Sequence, residues 1–138
     1  MTDLIEVKSC DLQGEALGWA VGKAEGLDLY LEPPGYNGVP WRVFARYRGE
    51  AIEHIKRFNP WEDWALGGPL IEEHMVSLHC PQSTDDVWAG WVITDQGEYC
   101  QAGNNALIAA SRVIVAAKLG DNIQVPKELI PQPLTPFA

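Results

Sequence analysis

Apolar residues recur at helical spacing in two stretches of the chain and alternate with polar ones through much of the rest. Leu17, Ala20, Val21 and Ala24 mark the core stripe of a helix over about 12–25, with Asp11 as its N-cap and Gly26 as its stop. Leu12, Ala16 and Trp19 fall on a second face, and Gly14, Gly18 and Gly22 line up four residues apart. Each glycine costs a helix about 1 kcal/mol relative to alanine, so such a row implies close packing along that edge. Together with the second face it points to a self-association surface and a homo-oligomer. The other helix runs over about 104–119. Asn105, Ile108, Val115, Ala116 and Leu119 lie beside Arg112, while Leu107, Ala110, Ile114 and Ala117 lie opposite. Both sides are apolar, which predicts burial around most of the circumference. Gly120 is the expected αL stop, and Lys118 complements the negative helix end.

Between the helices the pattern is shorter. A brief apolar stretch at 4–7 precedes the first helix, and 28–31 alternates as a strand before Pro33, Pro34, Gly35, Gly38 and Pro40 mark a loop. Residues 41–47 alternate again. Residues 50–58 carry Ile52, Ile55 and Lys56 and read as a short helix, broken by Asn59-Pro60. The stretch 61–73, with the turn Gly67-Gly68-Pro69, reads as an irregular loop. Residues 75–80 and 87–94 read as strands, and a third near Tyr99 completes an antiparallel meander. The expected fold is α+β: an antiparallel sheet of about four to five strands packed with two main helices, about 12–25 and 104–119. One domain over 1–125 is followed by a proline-rich tail, 126–138, containing Pro126, Pro131, Pro133 and Pro136.

The 138 residues are enough for one domain, which at that size buries roughly 68% of its unfolded surface. Charge narrows the partners. A net charge of −9 repels phosphate backbones, so nucleic acid is not expected. Five of the ten basic residues do cluster, Arg42, Arg46, Arg48, Lys56 and Arg57, either as a solvated patch or as an acceptor for an anion or acidic partner. Cys10, Cys80 and Cys100 are odd in number and form no CxxC, which fits a reducing cytosol. Residues 1–7 lack the basic-then-apolar pattern of a leader, and no stretch approaches the ~18 apolar residues of a membrane span. A cytosolic compartment is the expectation.

Catalytic signatures are missing: the chain has no GxSxG, P-loop, GxGxxG or HExxH. His74, His79, Cys80 and Cys100 are candidate metal ligands, but His79 and Cys80 would face opposite sides of a strand. No metal or other cofactor is expected. Cys100 with His79 lacks an orienting partner for nucleophilic work. His54 reads as an exposed helix residue. The sharper candidate is Arg112, because a guanidinium taken from water needs an acceptor. One acceptor is a carboxylate such as Asp63, Glu62 or Glu72, pinning the loop to the helix. The other is a ligand phosphate or carboxylate, helped by backbone N–H groups of the Gly103-Asn104-Asn105 turn. Asn105 shares the Arg112 stripe about 10 Å away, a span that suits a nucleotide. Of the pairs Trp61/Trp64 and Trp88/Trp91, Trp64 is the indole expected to face a ligand.

Three stretches carry a family likeness: Ala16 to Gly26 with Trp19-Ala20-Val21-Gly22-Lys23-Ala24-Glu25-Gly26, Asn59 to Glu72 with Asp63-Trp64 and Gly67-Gly68-Pro69, and 103–126 with Leu107-Ile108-Ala109-Ala110-Ser111-Arg112 and Leu119-Gly120-Asp121. In order and spacing they resemble the three blocks of NinX-like small phage proteins, over about half the chain. Gly18 departs from an acidic position of that pattern, Asn105-Ala106 from a Thr-Pro helix start, and Ser111 from a methionine. Residues 32–58 have no counterpart in it. The resemblance implies a phage setting and a shared fold, and brings no reaction with it.

The sequence thus leads to a phage accessory protein that binds without turnover, sequestering a small anionic, nucleotide-like host immune signal through Arg112, Asn105, Trp64, Asp63 and Asn104. Two alternatives stand beside it. One is a protein–protein inhibitor with an acidic surface; the other is a nucleotide-cleaving enzyme using Asp63 and Glu72.

Overall fold

The computed structural model describes residues 3–35, 38–49 and 52–130. In chain order these form β1 (Leu4–Lys8), a 3-10 turn (Ser9–Asp11), α1 (Gly14–Ala24), β2 (Asp28–Glu32), β3 (Arg42–Arg48), β4 (Glu53–Arg57), α2 (Trp64–Glu73), β5 (Ser77–His79), β6 (Trp88–Thr94), β7 (Gly97–Gly103), α3 (Ala106–Leu119), β8 (Asn122–Pro126) and a second 3-10 turn (Lys127–Leu129). The class is α+β. The strands do not join one sheet, however: among the described residues they form three antiparallel sheets, β1–β8, β2–β3–β4 and β5–β6–β7. Among the described residues there are three α-helices, the two main ones expected and α2.

Helix α3 organises the molecule because it is apolar all round. Ala106, Leu107, Ala109, Ala110, Val113, Ile114, Val115 and Ala116 are buried, and Ser111 with them. It packs on β6 and β7 on one hand and on α1 on the other, and α1 in turn packs on β2, β3 and β8. Small residues set the distance between helix and sheet. A Cβ on Gly90 would lie 2.9 Å from the Ala109 carbonyl oxygen, and one on Gly103 would lie 2.5 Å from the Ala109 nitrogen. The meander β5–β6–β7 matches the sequence reading, with Trp91 opposite Cys100 and Ser77 opposite Trp91.

Helix α1 starts later than expected. Gln13 occupies its N-cap position with no side-chain bond, and Asp11 lies in the preceding 3-10 turn. Gly26 stops it at φ +72, as its position implied. The second face is not an outer surface: Leu12 and Ala16 belong to the core. Two of the three edge glycines are likewise occupied from within: a Cβ on Gly18 would meet the Phe58 carbonyl at 3.0 Å, and one on Gly22 would meet the Leu29 side chain at 2.7 Å, while one on Gly14 would meet nothing within 4 Å. Leu12, Ala16, Gly18 and Gly22 are therefore used in intramolecular packing, and Trp19 is half-buried.

Two local assignments are overturned. The described part of 50–58 is a strand, since β4 pairs with β3 from Phe44↔Arg57 to Arg48↔Glu53, closed by a bond from Gly49 N to the Ile52 carbonyl at 3.0 Å. Ile52 and Ile55, three apart, imitated a helical stripe. The non-local ladder outweighs that local spacing and leaves both isoleucines exposed. Conversely, 64–73 is a helix. Asp63 caps it by accepting from Ala65 N at 2.9 Å, and Pro69 lies inside it, where a turn was expected. Gly67 lets α2 settle against the chain before it and against α3, since a Cβ there would lie 2.6 Å from both the Pro60 oxygen and Leu107 Cδ2.

The described start of the proline-rich segment is tied to the domain. β8 pairs with β1 in register Leu4↔Pro126 through Lys8↔Asn122, and Leu129 enters the core. Pro131, Pro133 and Pro136 lie outside the described residues. Gly120 ends α3 at φ +94 and ψ −165, a positive φ with an extended ψ in place of the αL stop expected. No described helix is long and apolar enough to cross a membrane.

Candidate functional site

Five segments converge on a cleft of about 730 Å³: the start of α1, the β2–β3 loop, the chain before α2, helix α3 and the C-terminal 3-10 turn. Trp41, Trp61, Ile108, Leu129, Pro34 and Pro40 give it an apolar lining, and Gln13, Glu15 and Glu128 supply polar groups. That size and composition fall within the range of small-molecule sites. Trp61, only 8% exposed, also lines a smaller cleft of about 220 Å³ with Glu62, Trp64, Asn105, Ala106 and Leu107. One indole separates the two.

The floor of the larger cleft is held by a charged pair. Arg57 on β4 donates Nη1 to Glu15 Oε1 at 2.7 Å and pairs its Nη2 with Glu15 Oε2. The same Nη1 donates to the Val43 carbonyl at 3.0 Å, while Val43 N donates to Glu15 Oε1 at 2.8 Å. This closed set ties the first turn of α1 to β3 and β4. The Arg57 guanidinium also sits 5.6 Å from the Trp61 ring and 5.9 Å from Phe44, in cation–π range. The indole is thus clamped between a cation and the Gly18 edge of α1.

The five residues predicted from sequence do not form one site. Trp64, 58% exposed, and Asn105 do meet, as walls of the smaller cleft. Asn105 Oδ1 also caps α3, accepting from Ile108 N at 2.9 Å. Asp63 caps α2. Asn104 is exposed in the turn before α3. Arg112 lines neither cleft. Its Nε donates to the Leu12 carbonyl at 2.8 Å and its Nη1 to the Ala102 carbonyl at 2.9 Å.

Among the described residues no carboxylate lies within ion-pair distance of Arg112. Glu62, one of its expected partners, accepts instead from Asn59 Nδ2 at 2.9 Å. The guanidinium is answered by main-chain oxygens, an acceptor class that the choice between carboxylate and ligand left out. Desolvation holds its pKa below the usual arginine range, opposed by the charges of Cys10 and Asp11. Its bond to Leu12 fixes the chain immediately before Gln13, Gly14 and Glu15, which form one wall of the larger cleft. Arg112 therefore shapes the site from behind.

The basic cluster is largely matched by acids. Arg46 Nε reaches Glu53 at 2.8 Å and its Nη1 reaches Asp28 at 3.8 Å; Arg48 approaches Asp28 at 4.0 Å, and Arg57 holds Glu15. Arg42 lies 5.4 Å from the Phe44 ring. Sequence reasoning missed Glu15 and Trp41, and named Arg57 only as a member of the basic cluster. Trp41 beside Pro40 in a proline-rich loop was a visible signal, whereas nothing local connects residues 15 and 57.

Of the residues weighed from sequence as candidate metal ligands, only His74 joins a ligand-type cluster among the described residues, and with different partners. Its Nε2 lies 2.6 Å from Glu25 Oε2 and 2.8 Å from Glu73 Oε2. His79 packs its ring against Trp91 at 6.3 Å. Burial pushes the Cys100 thiol pKa up, away from the thiolate that nucleophilic attack requires.

Residues 8–118 match the family model described as Bacteriophage P22, NinX. No curated protein matches the chain.

Proposed function

The chain belongs to the phage P22 NinX family, and from that premise we propose that it acts by binding a small molecule without turnover, in the cleft between Trp41 and Trp61. One observation carries the reading: a volume of about 730 Å³ whose lining is two indoles and aliphatic side chains over a floor fixed by Arg57 and Glu15. A fixed aromatic floor lowers the ordering penalty of binding.

The polar groups refine the ligand. Glu15 and Arg57 are engaged with each other, so no cation among the described lining residues is left to meet a phosphate. A planar ring suits that largely apolar, acid-bearing lining better than a phosphate does. In a nucleotide-like host signal, the base would enter and the phosphates would remain outside. Capture of such a molecule is the use this reading assigns in the infected cell.

The test is titration of nucleobases, nucleosides and nucleotides by calorimetry, with product analysis of the same mixtures. Saturable one-to-one binding, lost in Trp41→Ala and accompanied by intact ligand, is the expected result. Time-dependent product would replace binding with catalysis, and equal affinity in Trp41→Ala would remove the cleft from consideration.

A further inference from the structure

Away from the aromatic cleft, helices α1 and α2 end side by side. Glu25 is the C-cap residue of α1, Glu73 is the last residue of α2, and His74 is the C-cap of α2. Their ligand atoms, Glu25 Oε2, Glu73 Oε2 and His74 Nε2, lie within 4.8 Å of one another. The His74 and Glu25 side chains are 11% and 14% exposed, while Glu73 reaches in from solvent at 58%.

The arrangement is short of positive charge. Two carboxylates sit where two helix C-termini already concentrate negative potential; the last turn of α2 carries no basic residue, and that of α1 carries Lys23, whose Nζ lies over the Trp19 ring. Among the described residues no lysine or arginine comes within ion-pair distance of Glu25 or Glu73. The imidazole Nε2 must therefore answer both. It carries at most one proton, so it can donate one good hydrogen bond, yet carboxylate oxygens stand 2.6 and 2.8 Å from it.

We propose that Glu25, Glu73 and His74 bind a divalent transition-metal ion of the zinc class. One imidazole nitrogen and two carboxylate oxygens are a donor set such ions accept, and three protein ligands leave a position for water. The ion supplies the charge that one imidazole cannot. Access exists: a cleft of about 350 Å³ opens beside His74, lined also by Met75, Thr94, Asp95, Ile114 and Lys118. Asp95 and Lys118 are the further charged groups facing it. This site is separate from the aromatic cleft and stands or falls independently of the binding role assigned there.

The test is calorimetric titration of Zn²⁺ into the chelator-stripped full chain, read together with Tm. One saturable site, proton release on binding and a higher Tm are expected, because metal displaces protons from its ligands and stabilises the folded state. Glu73→Gln, at an exposed position that leaves the fold intact, should weaken this site at least tenfold. His74→Ala should abolish it, and His79→Ala should leave it unchanged. Absence of a saturable site in the wild type would overturn the proposal, as would undiminished affinity in Glu73→Gln. Loss of binding in His79→Ala would assign the metal to the His79, Cys80 and Cys100 region and overturn it equally.

Discussion

Arg112 Nε donates to the main-chain carbonyl of Leu12 at 2.8 Å, joining α3 to the entrance of α1 across 100 positions of sequence. A second bond from the same guanidinium, to Ala102, holds the end of β7. One side chain thereby fixes three segments. Charge-assisted hydrogen bonds contribute about 1.5–3 kcal/mol each at best, and less where partly solvated. Arg112→Ala should cost about 2 kcal/mol in chemical denaturation, with ligand affinity reduced only through the displaced Gln13–Glu15 wall. A variant as stable as the wild type would show that these bonds add nothing.

The Glu15–Arg57 pair leads to a second expectation. Removing Glu15 leaves the Val43 N–H without its acceptor and Arg57 without its carboxylate. Glu15→Ala should destabilise by about 2–3 kcal/mol, near the lower end for breaking a fully buried pair. It should also blue- or red-shift Trp61 emission, because the cation over that ring loses its anchor. Unchanged stability and emission together would contradict the clamp.

Gly67 sets helix propensity against packing. Alanine favours a helix by about 1 kcal/mol over glycine, yet a Cβ there would stand 2.6 Å from the Pro60 oxygen, which is backbone and cannot swing away. Overpacking costs typically about 1–3 kcal/mol, so Gly67→Ala should lower Tm. A raised Tm would mean that α2 is free to shift outward.

Glu25 makes stability depend on pH in a defined direction. Its folded pKa is raised above the ordinary 4.5, by burial first and Glu73 second. The folded state thus holds the proton more tightly than the unfolded chain does. This contribution is present below pH 4.5 and is lost as pH rises through the folded value. In chelator, Glu25→Gln should gain on the wild type as pH increases above 4.5, with Glu73, His74, Asp95 and Lys118 common to both proteins. A stability difference that is flat with pH would rule this out.

The legible parts of the chain were those whose structure is set locally. α3 announced itself through Leu107, Ile108, Ile114 and Val115 and the stop at Gly120, and the β5–β7 meander through its turns. What escaped depended on distant partners. Ile52 and Ile55 gave a helical spacing that only pairing with β3 overrides, and Gly67-Gly68-Pro69 looked like a turn until Asp63 and the space beside Leu107 are known. The importance of Arg112 was readable from its apolar helix. Its acceptors were not, because main-chain oxygens leave no residue-type signature. The Glu25–Glu73–His74 cluster joins two helix ends separated by 49 positions, beyond any local motif.

Trp61 is a partition with a chamber on either side. Its indole lies 5.6 Å from the Arg57 guanidinium on one hand and against Gly18 of α1 on the other, and it lines both spaces. A tilt of that one ring would therefore reshape both at once.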